Sequence, residues 1–227
     1  MFNKLFNDSL VFFRNHFIAF AAIILPIVVP VEFITMFVLG TASSEQLTTN
    51  QILLAILLDF MVSPVYMVAA TFYIASIIKN EHREITFLWR LGLKFWLPYL
   101  VMSVMIGIVV SIGLLVFILP GIFFAVRYAF AQFELLFKQE NPPDAIRNSW
   151  RLTADYQWLI LSGFAMITVL LYGPLLIFSS VFNELMQSNW LIGSVINLLY
   201  AVLTMLYTVF AFRVYDHASG KAGSSAS

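Results

Sequence analysis

Four ionisable residues lie inside long apolar stretches of this chain: Glu32, Asp59, Arg127 and Glu134. A charge at the centre of a bilayer costs at least ~2.5–3.5 kcal/mol on insertion scales, so such groups pair, face a protein interior or snorkel to the interface. Glu32 is eight residues from the outer end of its stretch and Asp59 is eight residues into the next. At a rise of about 1.5 Å per residue, both lie about 12 Å below the outer boundary. Arg127, six residues past Gly121, lies about 9 Å down on the same ruler. Matching depth groups Glu32, Asp59 and Arg127 into one intramembrane charge cluster, either a structural ion pair or the lining of a cavity. Glu134 is close to the inner boundary and is expected to snorkel.

The elements that must hold these residues follow from composition. Of the 227 residues, 61% are hydrophobic and 11% charged, against roughly 45–50% and about 25% in soluble domains. Too little polar surface exists to cover a soluble core, so lipid is the second solvent. A span needs about 20 mainly apolar residues. Six stretches qualify: 17–39, 51–78, 98–119, 121–137, 157–182 and 190–213. The first is too long for the ~7–15-residue apolar region of a signal peptide and reads as a retained helix. The fold class is an all-α, six-span transmembrane helical bundle, in a single domain over residues 1–216. The small, polar residues toward the C-terminus suggest a disordered tail over 217–227.

Orientation comes from the cations. Lys4, Arg14, Lys79, Arg83, Arg90, Lys94, Lys138, Arg147, Arg151, Arg213 and Lys221 all fall on one side of this topology, while 40–50, 119–121 and 183–189 carry no lysine or arginine. The positive-inside rule makes that side, with both termini, cytoplasmic. Leu119-Pro120-Gly121 reads as a tight turn between the third and fourth spans, because proline cannot continue a helix and glycine tolerates the reversal.

Each outward span is preceded by an amphipathic stretch. In the first, Asn3, Lys4, Asn7, Asp8, Arg14 and Asn15 share a face opposite Phe2, Leu5, Phe6, Leu10 and Phe13. In the second, Thr86, Arg90 and Lys94 form a stripe at i, i+4, i+8. In the third, Asn141 is a candidate N-cap, Pro142 fits N1 and Asp144 complements the helix dipole, with Arg147, Asn148, Arg151 and Asp155 as the polar face. These are expected to be cytoplasmic interfacial helices, with Arg90, Lys94, Arg147 and Arg151 contacting anionic lipid headgroups. The layout repeats as three hairpin units, about 1–78, 84–137 and 142–213. Ser103, Gly107 and Ser111 form a small-xxx-small ridge that predicts close helix packing, and Gly173-Pro174 predicts a kink.

Several classes of chemistry are disfavoured. The chain has no cysteine, and His16, His82 and His217 have no ligand spacing, so no metal site or cofactor is expected. None of the common hydrolase, zinc-protease or phosphate-loop motifs occurs, and no enzyme activity is expected. Zero net charge gives nucleic acid no handle; the expected partners are membrane lipids, anionic phospholipids among them, or another membrane protein.

Phe12-Phe13-Arg14-Asn15, Leu119-Pro120-Gly121-Ile122 with the following run to Arg127 and Ala131, and Asn148-Ser149-Trp150-Arg151-Leu152-Thr153 together resemble the YciC family of bacterial inner-membrane proteins. The resemblance implies a helical inner-membrane protein of gram-negative type and brings no catalytic residue with it. The expected function is non-enzymatic, through lipid or partner-protein contacts in envelope maintenance. The alternative is a small permease or lipid transporter using the Glu32/Asp59/Arg127 layer.

Overall fold

The computed structural model describes residues 1–39, 48–81, 83–188 and 190–224. They form ten helices and no strand: α1 Phe2–Leu39, α2 Thr49–Ile78, α3 Ile85–Lys94, α4 Trp96–Val116, α5 Ile118–Arg127, α6 Ala131–Phe137, α7 Pro142–Leu152, α8 Gln157–Ser188, α9 Trp190–Leu203 and α10 Met205–Ser224. Six stretches are long and apolar enough to cross a membrane: Phe2–Phe37, Thr49–Ile78, Trp96–Val116, Ile118–Phe137, Gln157–Leu176 and Ile192–Gly220. The protein is an all-α, multi-pass bundle, as its composition requires.

The core is concentrated toward one end of the bundle. Phe12, Phe13, Phe20, Ile23 and Ile24 of α1 pack with Ile74 of α2, Phe130 and Phe133 around α6, and Met205, Val209 and Phe210 of α10. At the other end large apolar side chains stay exposed, among them Phe33, Phe37, Leu53 and Ile56. That distribution suits helices whose outer surfaces are solvated by lipid.

Three boundaries differ from the sequence expectation. α1 runs unbroken from Phe2, so the first amphipathic stretch and the first span are one helix; no proline or glycine precedes Pro26 to divide them. The third reversal is made by Phe117 alone, in extended backbone with φ −158° and ψ 151°. Pro120 then sits in the first turn of α5, where a missing N–H costs nothing. Gly121 serves packing: a Cβ there would overlap the Leu114 side chain, and one on Gly113 would meet the Gly121 Cα at 2.9 Å. Finally, α10 continues through Ser224 with Ala218 in the core, so residues 217–224 are helical where a disordered tail was expected. Residues 225–227 of that tail lie outside the described residues.

α3 and α7 are helices where amphipathicity placed them, and Pro142 occupies the first turn of α7 behind Asn141 in extended backbone. Their apolar faces, however, lie against protein. In α3, Leu88 is fully buried and a Cβ on Gly92 would strike the Val65 carbonyl of α2. Docking is completed by two indoles: Trp89 Nε1 donates to the Ile23 carbonyl at 3.0 Å, and Trp96 Nε1 to the Met61 carbonyl at 2.6 Å.

Both acceptors lie three residues before a proline, Pro26 in α1 and Pro64 in α2. Proline breaks the helical ladder and leaves carbonyls short of donors, which neighbouring helices and hydroxyls must supply within a membrane. The same arrangement recurs in α8, where the Leu171 carbonyl, three residues before Pro174, accepts from Tyr200 Oη at 2.6 Å. Ser63 Oγ meets the Phe60 carbonyl, four residues before Pro64, at 3.2 Å.

Candidate functional site

The residues with the greatest chemical potential gather where α5 breaks into α6. The backbone leaves helical pairing over Tyr128–Phe130, and α7 closes that gap. Ser149 Oγ donates to the Arg127 carbonyl at 2.8 Å and accepts from the Phe130 N–H at 3.1 Å. Thr153 Oγ1 lies 3.1 Å from the same Arg127 carbonyl and 2.8 Å from the Ser149 carbonyl. Ser149 and Thr153 are fully buried. One turn of α7, with hydroxyls at i and i+4, thus replaces the ladder bonds missing from the break.

Arg127, the last residue of α5, is 7% exposed. Its guanidinium lies 4.4 Å from the Trp150 ring centroid and 5.9 Å from that of Phe123. Phe123, Phe124 and Tyr128 all ring Trp150 at 5.7–6.0 Å. The cation is therefore held by aromatic faces. Its Nε is buried with no partner, and no carboxylate pairs with it among the described residues.

The charge layer expected of Glu32, Asp59 and Arg127 does not form as a trio. Glu32 and Asp59 are close enough for their charges to act on each other, and Glu32 Oε1 accepts from Asn197 Nδ2 at 3.3 Å. Arg127 belongs to the α7 side of the bundle instead. Equal depth says nothing about azimuth, and Arg127 faces Trp150 of α7. We therefore expect Arg127→Leu and Asp59→Asn to destabilise additively, within about 0.3–0.5 kcal/mol. Thermal unfolding of both single variants and the double variant in detergent checks this; coupling above ~1 kcal/mol would contradict the geometry.

Glu134 was expected to snorkel and does the opposite. It is fully buried, paired with Lys138 Nζ at 2.7 Å through Oε2 and accepting from Tyr215 Oη at 2.8 Å through Oε1. Lys138, half exposed, carries the link out to the surface. Glu140 Oε1, alongside, accepts from Asn148 Nδ2 at 2.7 Å.

The Ser103/Gly107 ridge also departs from expectation. No atom stands within 4 Å of a Cβ built on Gly107; the close helix approach is at Gly113 and Gly121. Ser103 and Gly107 line a cavity of about 420 Å3 shared with Tyr99, Tyr128, Gln132 and Thr208. Tyr99 Oη and Gln132 Oε1 lie 3.1 Å apart in its wall, and no charged side chain lines it. A second cleft, about 350 Å3, runs between α5 and the start of α8, lined by Leu119, Ile122, Phe123, Val126, Trp158 and Leu161, with Gln157 at its edge.

Arg90, Lys94, Arg147 and Arg151 are all exposed. Lys94 lies over the Phe95 ring at 5.4 Å, and none of the four is in an ion pair among the described residues. No cluster of three or more metal-ligating side chains occurs among the described residues. No family model, curated protein or solved structure matches the chain.

Proposed function

We propose that the protein is a non-enzymatic bacterial inner-membrane protein that works through lipid contacts in envelope maintenance, and that it is a YciC-type protein with both termini cytoplasmic. The observation that carries this reading is the state of four cations. Arg90, Lys94, Arg147 and Arg151 stand exposed without ion-pair partners among the described residues, on short helices whose other faces are fixed to the bundle. Rigidly presented cations beside an apolar surface suit anionic headgroups, each adding about 1 kcal/mol near the membrane surface. Replacing all four with glutamine is expected to lower retention of anionic lipid in native mass spectra without unfolding the protein. Retention equal to wild type would remove this reading.

Topology has its own test. A cysteine at Asn141 is expected to react with impermeant thiol reagents only after the membrane is opened, and one at Thr49 in intact spheroplasts. The reverse pattern would invert the orientation.

The permease alternative loses its proposed layer, since Arg127 stands apart from Glu32 and Asp59. A transport route would have to use the cavity beside Ser103 and Thr208, whose lining carries no charge to couple to an ion.

A further inference from the structure

We propose that Arg127 anchors the phosphate of a phospholipid whose acyl chain lies in the cleft between α5 and α8. This rests on the lipid-contact reading above and assigns it a specific site.

Arginine keeps its charge in proteins, with five N–H donors in a rigid fork. Here the residue is 7% exposed and the fork has no carboxylate partner among the described residues. The aromatic faces of Trp150 and Phe123 can stabilise the cation but cannot accept in-plane N–H bonds. Glu134, the fully buried carboxylate, is already engaged by Lys138 and Tyr215, while Glu32 is hydrogen-bonded to Asn197. Only Nε of the guanidinium is sealed from the surface, which leaves its terminal nitrogens open to an outside group. A desolvated, unpaired cation in an apolar segment requires a counter-ion. The planar fork matches phosphate oxygens bidentately.

The neighbouring cleft decides between a free anion and a lipid. Phe123 belongs to both features: it lies against the guanidinium and lines the cleft. Beyond it the wall is Leu119, Ile122, Val126, Trp158 and Leu161, all apolar. A volume of about 350 Å3 is within the usual range for small-ligand sites, roughly 300–1,000 Å3. A charged end joined to an apolar trough is the outline of a phosphate with its hydrocarbon chain. Gln157, at the trough's edge, adds an uncharged donor and acceptor for the ester region. Arg147 and Arg151, on the helix that carries Trp150, are exposed and are not among the residues that line the cleft.

The test titrates the purified full chain in detergent with phosphatidylglycerol and counts stoichiometric adducts by native mass spectrometry. Wild type is expected to hold one adduct that survives collisional activation. Arg127→Gln is expected to weaken it at least tenfold, with Arg127→Lys intermediate. Leu161→Trp, which fills the cleft and leaves the guanidinium intact, is expected to weaken it similarly and guards against misfolding of the Arg127 variants. The quadruple glutamine variant at Arg90, Lys94, Arg147 and Arg151 should keep the tight adduct while losing general enrichment of anionic lipid, so the two claims fail separately. A wild-type adduct in both Arg127→Gln and Leu161→Trp overturns the proposal. Competition by millimolar inorganic phosphate together with an unaffected Leu161→Trp overturns it in favour of a free anion.

Discussion

Lys138→Met is expected to lower stability by about 3 kcal/mol. Breaking a buried pair by removing one partner typically costs ~3–5 kcal/mol, and the lower end applies because Lys138 is half exposed while Glu134 is fully buried. The variant leaves the Glu134 carboxylate with the Tyr215 hydroxyl as its one remaining partner. Adding Glu134→Gln should recover part of the loss, because an amide needs no counter-charge and still accepts from Tyr215. Thermal unfolding in nanodiscs across this double-mutant cycle reads the coupling directly. Equal losses from Lys138→Met with and without Glu134→Gln would mean that the pair contributes nothing.

The second large effect belongs to the α5–α6 break. Ser149→Ala removes the acceptor of the buried Phe130 N–H and one donor to the Arg127 carbonyl. A buried backbone group left unpaired costs about 1–3 kcal/mol. Combined with Thr153→Val, which takes away the other hydroxyl near that carbonyl, the loss should reach roughly 2–5 kcal/mol on the same scale. The diagnostic is local: amide hydrogen exchange over residues 124–133 should accelerate more than exchange in α2. Thr153→Ser, which keeps the hydroxyl, should behave nearly as wild type. Uniform acceleration along the chain would indicate a general loss of packing instead.

These two results bear on what the amino-acid sequence makes legible. The number of spans depends on composition over about 20 residues, a signal too long for any one side chain to obscure. α3 and α7 were visible from polar residues recurring every third or fourth position. Which helix face meets which neighbour was not. Depth counting put Arg127 level with Glu32 and Asp59, but it has no angular coordinate, and it assumed a turn at Pro120 where Phe117 makes it. Glu134 looked peripheral because it lies close to the inner boundary of its span; Tyr215, 81 residues away in sequence, hydrogen-bonds to it there. Ser149 and Thr153 stood out only as part of the segment from Asn148 to Thr153 that carries the family resemblance. Their task required knowing that the helix before them is interrupted, and Tyr128-Ala129-Phe130 contains no proline or glycine to announce it.

The prolines have a consequence for the order of assembly. α1 and α2 enter the membrane before α3 has been synthesised, and each does so with a carbonyl, Ile23 or Met61, loosened by the proline three residues on. Trp89 and Trp96, later in the chain, bring an indole donor to each of those oxygens. The first hairpin thus receives both indole hydrogen bonds from residues synthesised after it. Tyr200 does the same for α8 from α9, one helix later, whereas each indole comes two helices after its acceptor. In both places an early helix carries the acceptor and a later one brings the donor, so the side-chain bonds around the prolines form in the direction of synthesis.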